Sequence, residues 1–181
     1  MIDVLQNLNI EILKFINDNF HSPIIDKFMI MITSIGNVGF IWILISLILM
    51  ITPKYRKVGI MTICALILTT IIGEGILKHL IRRARPFTSF PDIKLLITAP
   101  TSYSFPSGHT GSAFAAAGIL GAMIKKSKPY VITLAILIAF SRLYLFVHYP
   151  EDVLAGIILG LCSAQIVLYI FKNGVRLYRK K

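Results

Sequence analysis

From residue 37 onward the chain alternates long apolar runs with short polar connectors, and the runs fall at about 37–52, 58–77, 107–124, 130–147 and 152–171. Each approaches the ~17–25 residues an α-helix needs to cross a ~30 Å hydrocarbon core, so the pattern predicts five spans. Residues 1–20 differ. Leu5, Leu8, Ile12, Phe15 and Ile16 share one helical stripe, with Asn7, Asn9, Glu11, Asn17 and Asp18 mostly elsewhere. This predicts an interfacial helix. Its polar face is acidic rather than Lys/Arg-rich, so docking against the rest of the protein is its expected use. The stretch 22–35 carries Asp26 and Lys27 and is short, which predicts an interfacial or re-entrant piece, with a sixth span as the alternative. The expected architecture is an all-α, integral membrane helical bundle in one domain over 1–181, with short N-terminal helices in 1–35 and a helical core in 37–171. No internal repeat or low-complexity segment suggests a second domain.

Composition strengthens the membrane reading. Hydrophobic residues make up 56% of the 181 and charged residues 15%, with a mean hydropathy of +0.77, whereas soluble chains average roughly 45–50% apolar and about 25% charged. The net charge of +11 is therefore no nucleic-acid stripe; in a chain mostly embedded in lipid, the side of the membrane it marks matters more. Residues 1–20 carry Asp3, Glu11 and Asp18 and no sustained apolar core, so a retained span rather than a signal peptide is expected to direct insertion. Cys64 and Cys162 lie inside apolar runs without metal or redox spacing and read as packing residues.

The charges sort by connector. Eleven of the nineteen basic residues fall in three segments: Lys54, Arg56 and Lys57; Lys125, Lys126 and Lys128; and Lys172, Arg176, Arg179, Lys180 and Lys181. A five-span alternation puts all three on one side, which the positive-inside rule makes cytoplasmic, with the N-terminal region outside. The outward half holds eight basic and all eight acidic residues and is formally neutral. Arg82, Arg83 and Arg85 at the outer end of a span go against the rule. Either they snorkel to lipid headgroups or they serve an anionic ligand.

Three segments carry chemistry. In KHLIRRARP, Lys78 and Arg85 are seven residues apart, which predicts two cations on one helix face. In Pro106-Ser107-Gly108-His109 a helix is expected to start, with Pro setting its first turn and Gly admitting a phosphate oxygen to unpaired backbone N–H groups. In SRLYLFVHYPED, Arg142 and His148 leave one span and Asp152 begins the next, with Pro150 between them. Taken singly, His109 could be a helix-start residue and His148 a headgroup-level loop histidine. Alternation of the spans nevertheless brings all three segments to the outer face, though none of them entered the charge argument that set the sidedness.

Together KHLIRRARP, PSGH and SRLYLFVHYPED resemble the three signature motifs of the type 2 phosphatidic acid phosphatase family, which also includes the vanadium haloperoxidases. They match in order and spacing across residues 78–152. The resemblance implies metal-independent dephosphorylation through a phosphohistidine, with no cofactor. His148 is the implied nucleophile, Asp152 its partner and His109 the acid, while Lys78, Arg85, Ser107, Gly108 and Arg142 hold the phosphate. Elementary chemistry agrees with these roles. A neutral imidazole attacks phosphorus through one nitrogen if the other donates toward a carboxylate. A second histidine gives the leaving group its proton and later takes one from water. Three cations replace the metal ions of other phosphoryl-transfer sites, the two arginines by bidentate contact. Glu74, one turn before Lys78, is expected to orient it.

The implied partners are a lipid phosphate substrate and membrane lipids, with no nucleic acid. About twenty residues separate Arg85-Pro86 from Pro106, too few for a separate recognition domain, so an amphiphile with a compact headgroup is expected. Arg82, Arg83 or Lys94 would suit a second phosphate, and chains of this size and motif set resemble bacterial undecaprenyl-diphosphate phosphatases. Phosphatidylglycerophosphate and phosphatidic acid are the alternative substrates. Transfer to an alcohol in place of water, and a non-catalytic anion- or lipid-binding membrane protein, are the alternatives of another class.

Overall fold

The computed structural model describes residues 2–178, with side chains described for 4–172. The side chain of Arg176, and Arg179, Lys180 and Lys181 altogether, lie outside the described residues. Among the described residues every regular element is helical, with no β-strand. In order come α1 (Ile2–Phe20), α2 (Pro23–Ile35), a 3₁₀ turn at Asn37–Gly39, α3 (Phe40–Ile51) and α4 (Arg56–Thr70). A π-helical stretch at Ile71–Leu77 leads into α5 (Lys78–Ile81) and α6 (Pro86–Ser89). The loop 90–107 then leads to α7 (Gly108–Met123), α8 (Lys128–Tyr144) and α9 (Pro150–Tyr178).

Two stretches are long and apolar enough to cross a bilayer alone, Arg56–Ser89 and Pro150–Lys172, and the pair Pro23–Ile35 and Asn37–Ile51, bent by 47°, makes a third when taken as one. The bend falls where Val38 (φ 54°) and Gly39 (φ 70°) take left-handed backbone, so the apolar run expected from 37 begins as a turn. α7 and α8, at 16 and 17 residues, are each about 24–26 Å long at 1.5 Å per residue, shorter than a full ~30 Å crossing.

α7 is the central helix, packed against α4, α8 and α9. Its closest neighbour is α9, because small residues meet along the seam. A Cβ added to Gly160 would lie 2.4 Å from the Gly111 carbonyl oxygen, and one on Gly118 would lie 2.7 Å from the Ala164 Cβ. Small residues four apart on both helices let the backbones approach, a packing mode that hydrocarbon surroundings favour. The seam registers the two helix starts: the Ser107 N–H donates to the Asp152 carbonyl at 2.9 Å. Trp42, Met61, Ile119, Leu120 and Ile138 fill the core beneath.

α1 corrects the face assigned to it. Leu13 and Ile16 are buried with Asn9, whereas Leu5, Leu8 and Phe15 of the apolar stripe are exposed. Leu13 packs with Phe146 and Tyr149. The helix docks through a mixed face: Ile12 and Ile16 of the stripe pack with Met29, Tyr144 and Leu145, and the rest of the stripe looks outward. Cys64 is half-buried as expected, but Cys162 is exposed on α9.

Candidate active site

Above the core, the starts of α7 and α9, the end of α8 and the loop after α5 converge on one cavity of about 1250 Å³. Lys78, Arg85, Ser107, Gly108, His109, Arg142 and His148 all line it. Asp152 is fully buried behind His148. All eight residues singled out from the sequence are therefore brought to one place.

The local geometry differs from the expectation in several respects. The helix carrying Lys78 stops at Arg82, which takes left-handed backbone (φ 49°), so Lys78 and Arg85 do not share a helix face. They converge instead on one hydroxyl: Lys78 Nζ donates to Ser102 Oγ at 3.0 Å and Arg85 Nη2 donates to it at 3.1 Å. Arg85 also donates to the carbonyls of Ser102 (2.7 Å), Val147 (2.8 Å) and Tyr103 (3.2 Å). The guanidinium is thereby fixed before any ligand arrives. Pro106 lies ahead of α7 rather than in its first turn, after a cis Phe105–Pro106 peptide bond. Ser107 is the N-cap, accepting from the Thr110 hydroxyl at 2.9 Å, so its own hydroxyl hydrogen stays available to another acceptor.

His148 sits in the loop after α8, 2% exposed. Its Nε2 lies 3.1 Å from Arg85 Nη1. An arginine only donates, so Nε2 is the acceptor nitrogen and Nδ1 carries the proton. Burial outweighs the pull of Asp152 and, with Arg142 and Arg85, lowers the His148 pKa to about 3, so the ring is neutral. The expected His148–Asp152 contact is indirect. Nδ1 stands 3.7 Å from Asp152 Oδ2, too far for a hydrogen bond, and Ser104 bridges them. The Ser104 hydroxyl donates to Asp152 Oδ2 at 2.5 Å and lies 3.4 Å from Nδ1. The Tyr149 N–H also donates to Oδ2, at 2.8 Å, curling the loop over the start of α9.

Other partners come from parts of the chain that the motifs do not cover. Arg83, expected to snorkel or to meet a phosphate, instead donates to Asp152 Oδ1 at 2.8 Å and to Gln6 of α1 at 3.0 Å, pairs with Glu151 at 2.9 Å and stacks on Tyr149. Asn37, in the turn between α2 and α3, places Oδ1 2.9 Å from His109 Nε2. Thr33 accepts from Arg142, whose Nε has no partner. Ser104 was open to discovery from the sequence, since it stands three residues before Ser107 in the same segment; Thr33 and Asn37 carried no such signal. Glu74 pairs with Lys78 at 2.9 Å, as expected. Among the described residues, no three His, Cys, Asp or Glu side chains are gathered as metal ligands.

Residues 59–176 match the model of the PAP2 superfamily. The chain belongs to the PAP2 superfamily. It is 31% identical over 169 residues to the undecaprenyl-diphosphatase of Sulfolobus acidocaldarius, covering 92% of this chain and 80% of that protein. The crystal structure of Aquifex aeolicus LpxE superposes with a TM-score of 0.79 at 32% identity, over 90% of this chain and 95% of that one. The transmembrane PAP2-type phosphatidylglycerolphosphate phosphatase of Bacillus subtilis gives 0.78 at 26% identity, over 94% and 87%. The match of this PAP2 chain to its relatives thus extends beyond the three motif segments to the helices that carry them.

Proposed function

We propose that the protein is an integral membrane lipid-phosphate phosphatase that hydrolyses a polyprenyl diphosphate at the outer face through a phosphohistidine, without a metal ion or cofactor. The observation that carries this reading is the mixed lining of the cavity: His148, His109, Lys78, Arg85 and Arg142 line it together with Ile43 of α3 and Ile63, Leu66 and Ile67 of α4. An amphiphile would set its phosphate against the charged side chains and its tail against the apolar ones. The relative in Sulfolobus acidocaldarius, named as an undecaprenyl-diphosphatase and matched over most of both chains, supports the polyprenyl choice.

In the proposed reaction, the terminal phosphate rests among Lys78, Arg85, Arg142, the Ser107 hydroxyl and the N–H groups at Gly108. His148 Nε2 attacks phosphorus and the bond to the leaving oxygen breaks. His109 gives that oxygen its proton. Water then attacks the phosphohistidine, His109 takes a proton, and orthophosphate and the free imidazole result. Asp152 stabilises the transient imidazolium through Ser104. The whole of 1–181 acts as one domain. α1 lies at the outer interface, the bent α2–α3 pair is the first of five spans, and the C-terminus is cytoplasmic.

A second reading, with phosphatidylglycerophosphate or phosphatidic acid as substrate, is favoured by one observation: Arg83 is engaged with Asp152 and Glu151 and so is withdrawn from a second phosphate. The test is phosphate release in detergent or proteoliposomes with a chelator present. The polyprenyl diphosphate is expected to have the higher kcat/KM; a tenfold preference for the glycerolipid, about 1.4 kcal/mol of transition-state binding, selects the second reading. His148→Ala is expected to abolish turnover, and labelled phosphate trapped elsewhere than on His148 overturns the nucleophile assignment.

A further inference from the structure

The reaction assigned above leaves Glu74 unused, although it lies inside the cavity with Lys78, Gly108 and His109. It stands in the π-helical stretch Ile71–Leu77, a distortion that opens the i→i+4 ladder and is frequent at functional sites. One carboxylate oxygen is 2.9 Å from Lys78 Nζ. The same oxygen rests on Gly108, where an added Cβ would meet it at 2.3 Å. An acidic group thus fills the part of the cradle that the proposed chemistry gives to an anion. Ser102 does the same for the remaining donors, its hydroxyl taking hydrogen bonds from both Lys78 and Arg85.

We propose that Glu74 is a resident stand-in for phosphate: its carboxylate holds Lys78 and the Gly108 cradle while the site is empty, is displaced by the incoming phosphoryl group, and returns to expel orthophosphate. The inference rests on the phosphatase reading of the site and deepens it. Phosphate and carboxylate cannot share Lys78 and Gly108 at these distances without close like-charge repulsion. Every anion that enters must therefore displace Glu74. The cost falls on substrate and product alike, and the benefit is release of a product that three buried cations would otherwise retain. With 42% of its side chain exposed, Glu74 has room to swing away.

A purely orienting role predicts the opposite sign. If Glu74 only aims Lys78, removing its charge weakens anion binding; if it competes with anions, removing it strengthens binding. The test is calorimetry of orthophosphate and orthovanadate on the full-length protein in detergent, comparing wild type with Glu74→Gln and Glu74→Asp. Glu74→Gln is expected to bind both anions at least tenfold more tightly. Steady-state turnover should then show a lower KM and a lower kcat, with stronger product inhibition. Glu74→Asp, one methylene shorter, keeps the charge but withdraws it from Gly108 and is expected to shift in the same direction by a smaller factor; it carries the test if the Gln variant does not fold. Unchanged or weaker anion binding in the variants overturns the proposal. Loss of the phosphatase reading is separately visible, because the wild type would then release no phosphate from any lipid phosphate while the anion-binding comparison would still report on Glu74.

Discussion

Ser104 and Arg85 between them decide which nitrogen of His148 faces the cavity. Arg85 donates to Nε2, leaving the proton on Nδ1, and Ser104 relays that proton's hydrogen bond to Asp152. Removing the relay leaves the Asp152 charge 3.7 Å from the ring with no donor between them. A hydrogen bond to a charged group is worth about 1.5–3 kcal/mol, so Ser104→Ala is expected to lower kcat about 10- to 100-fold with little change in KM. Ser104→Thr, which keeps the hydroxyl, should retain most of the rate. Equal losses in the two variants would mean that Ser104 serves packing only. The same histidine makes stability depend on pH. Its pKa falls from 6.5 to about 3 on folding, so in that window the unfolded chain binds the proton more readily. Its contribution to stability is complete above pH 6.5 and is lost progressively as the pH falls toward 3. His148→Asn removes this group, and its melting temperature in detergent should drop less between pH 7 and pH 5 than that of the wild type.

Among the elements, the α7–α9 seam does the positioning. His109 stands in the first turn of α7 and Asp152 in the first turn of α9, so a shift between these helices moves the two side chains apart. Gly160 has its would-be Cβ 2.4 Å from the Gly111 carbonyl oxygen and 2.8 Å from the Ala115 nitrogen, backbone atoms that cannot step aside. Gly160→Ala is expected to destabilise by about 1–3 kcal/mol, as overpacking does, and to lower activity with it. Gly75 has nothing within 4 Å of a Cβ, and Gly75→Ala should leave the unfolding midpoint close to that of the wild type. A Gly160→Ala protein of unchanged stability and rate would show that the seam does not set the site.

For the whole molecule, the proposed five-span topology makes a single prediction. A reporter fused after Lys181 should lie in the cytoplasm, and single cysteines placed in 88–104 should be labelled from outside. A tag ahead of Met1 should also be outside if the bent α2–α3 pair is one crossing, as proposed. A cytoplasmic N-terminal tag would give six crossings, with the site still on the outer face.

The helical membrane class and the eight candidate residues were legible in the sequence because both rest on local information: the period of apolar residues, and motifs whose members are near neighbours along the chain. The convergence of those motifs was expected from alternation of the spans, and the structure brings them to one cavity. Tertiary structure alone supplied the distant partners that hold them. Asn37 meets His109 across 72 residues, Thr33 meets Arg142 across 109 and Arg83 meets Asp152 across 69, and no local pattern encodes such pairings. It also decided the face of α1, because the rule that apolar residues point inward assumes water outside. Where the surrounding solvent is hydrocarbon, apolar side chains such as Leu5, Leu8 and Phe15, which stay exposed, gain little by turning inward, whereas Gln6 gains a hydrogen bond from Arg83.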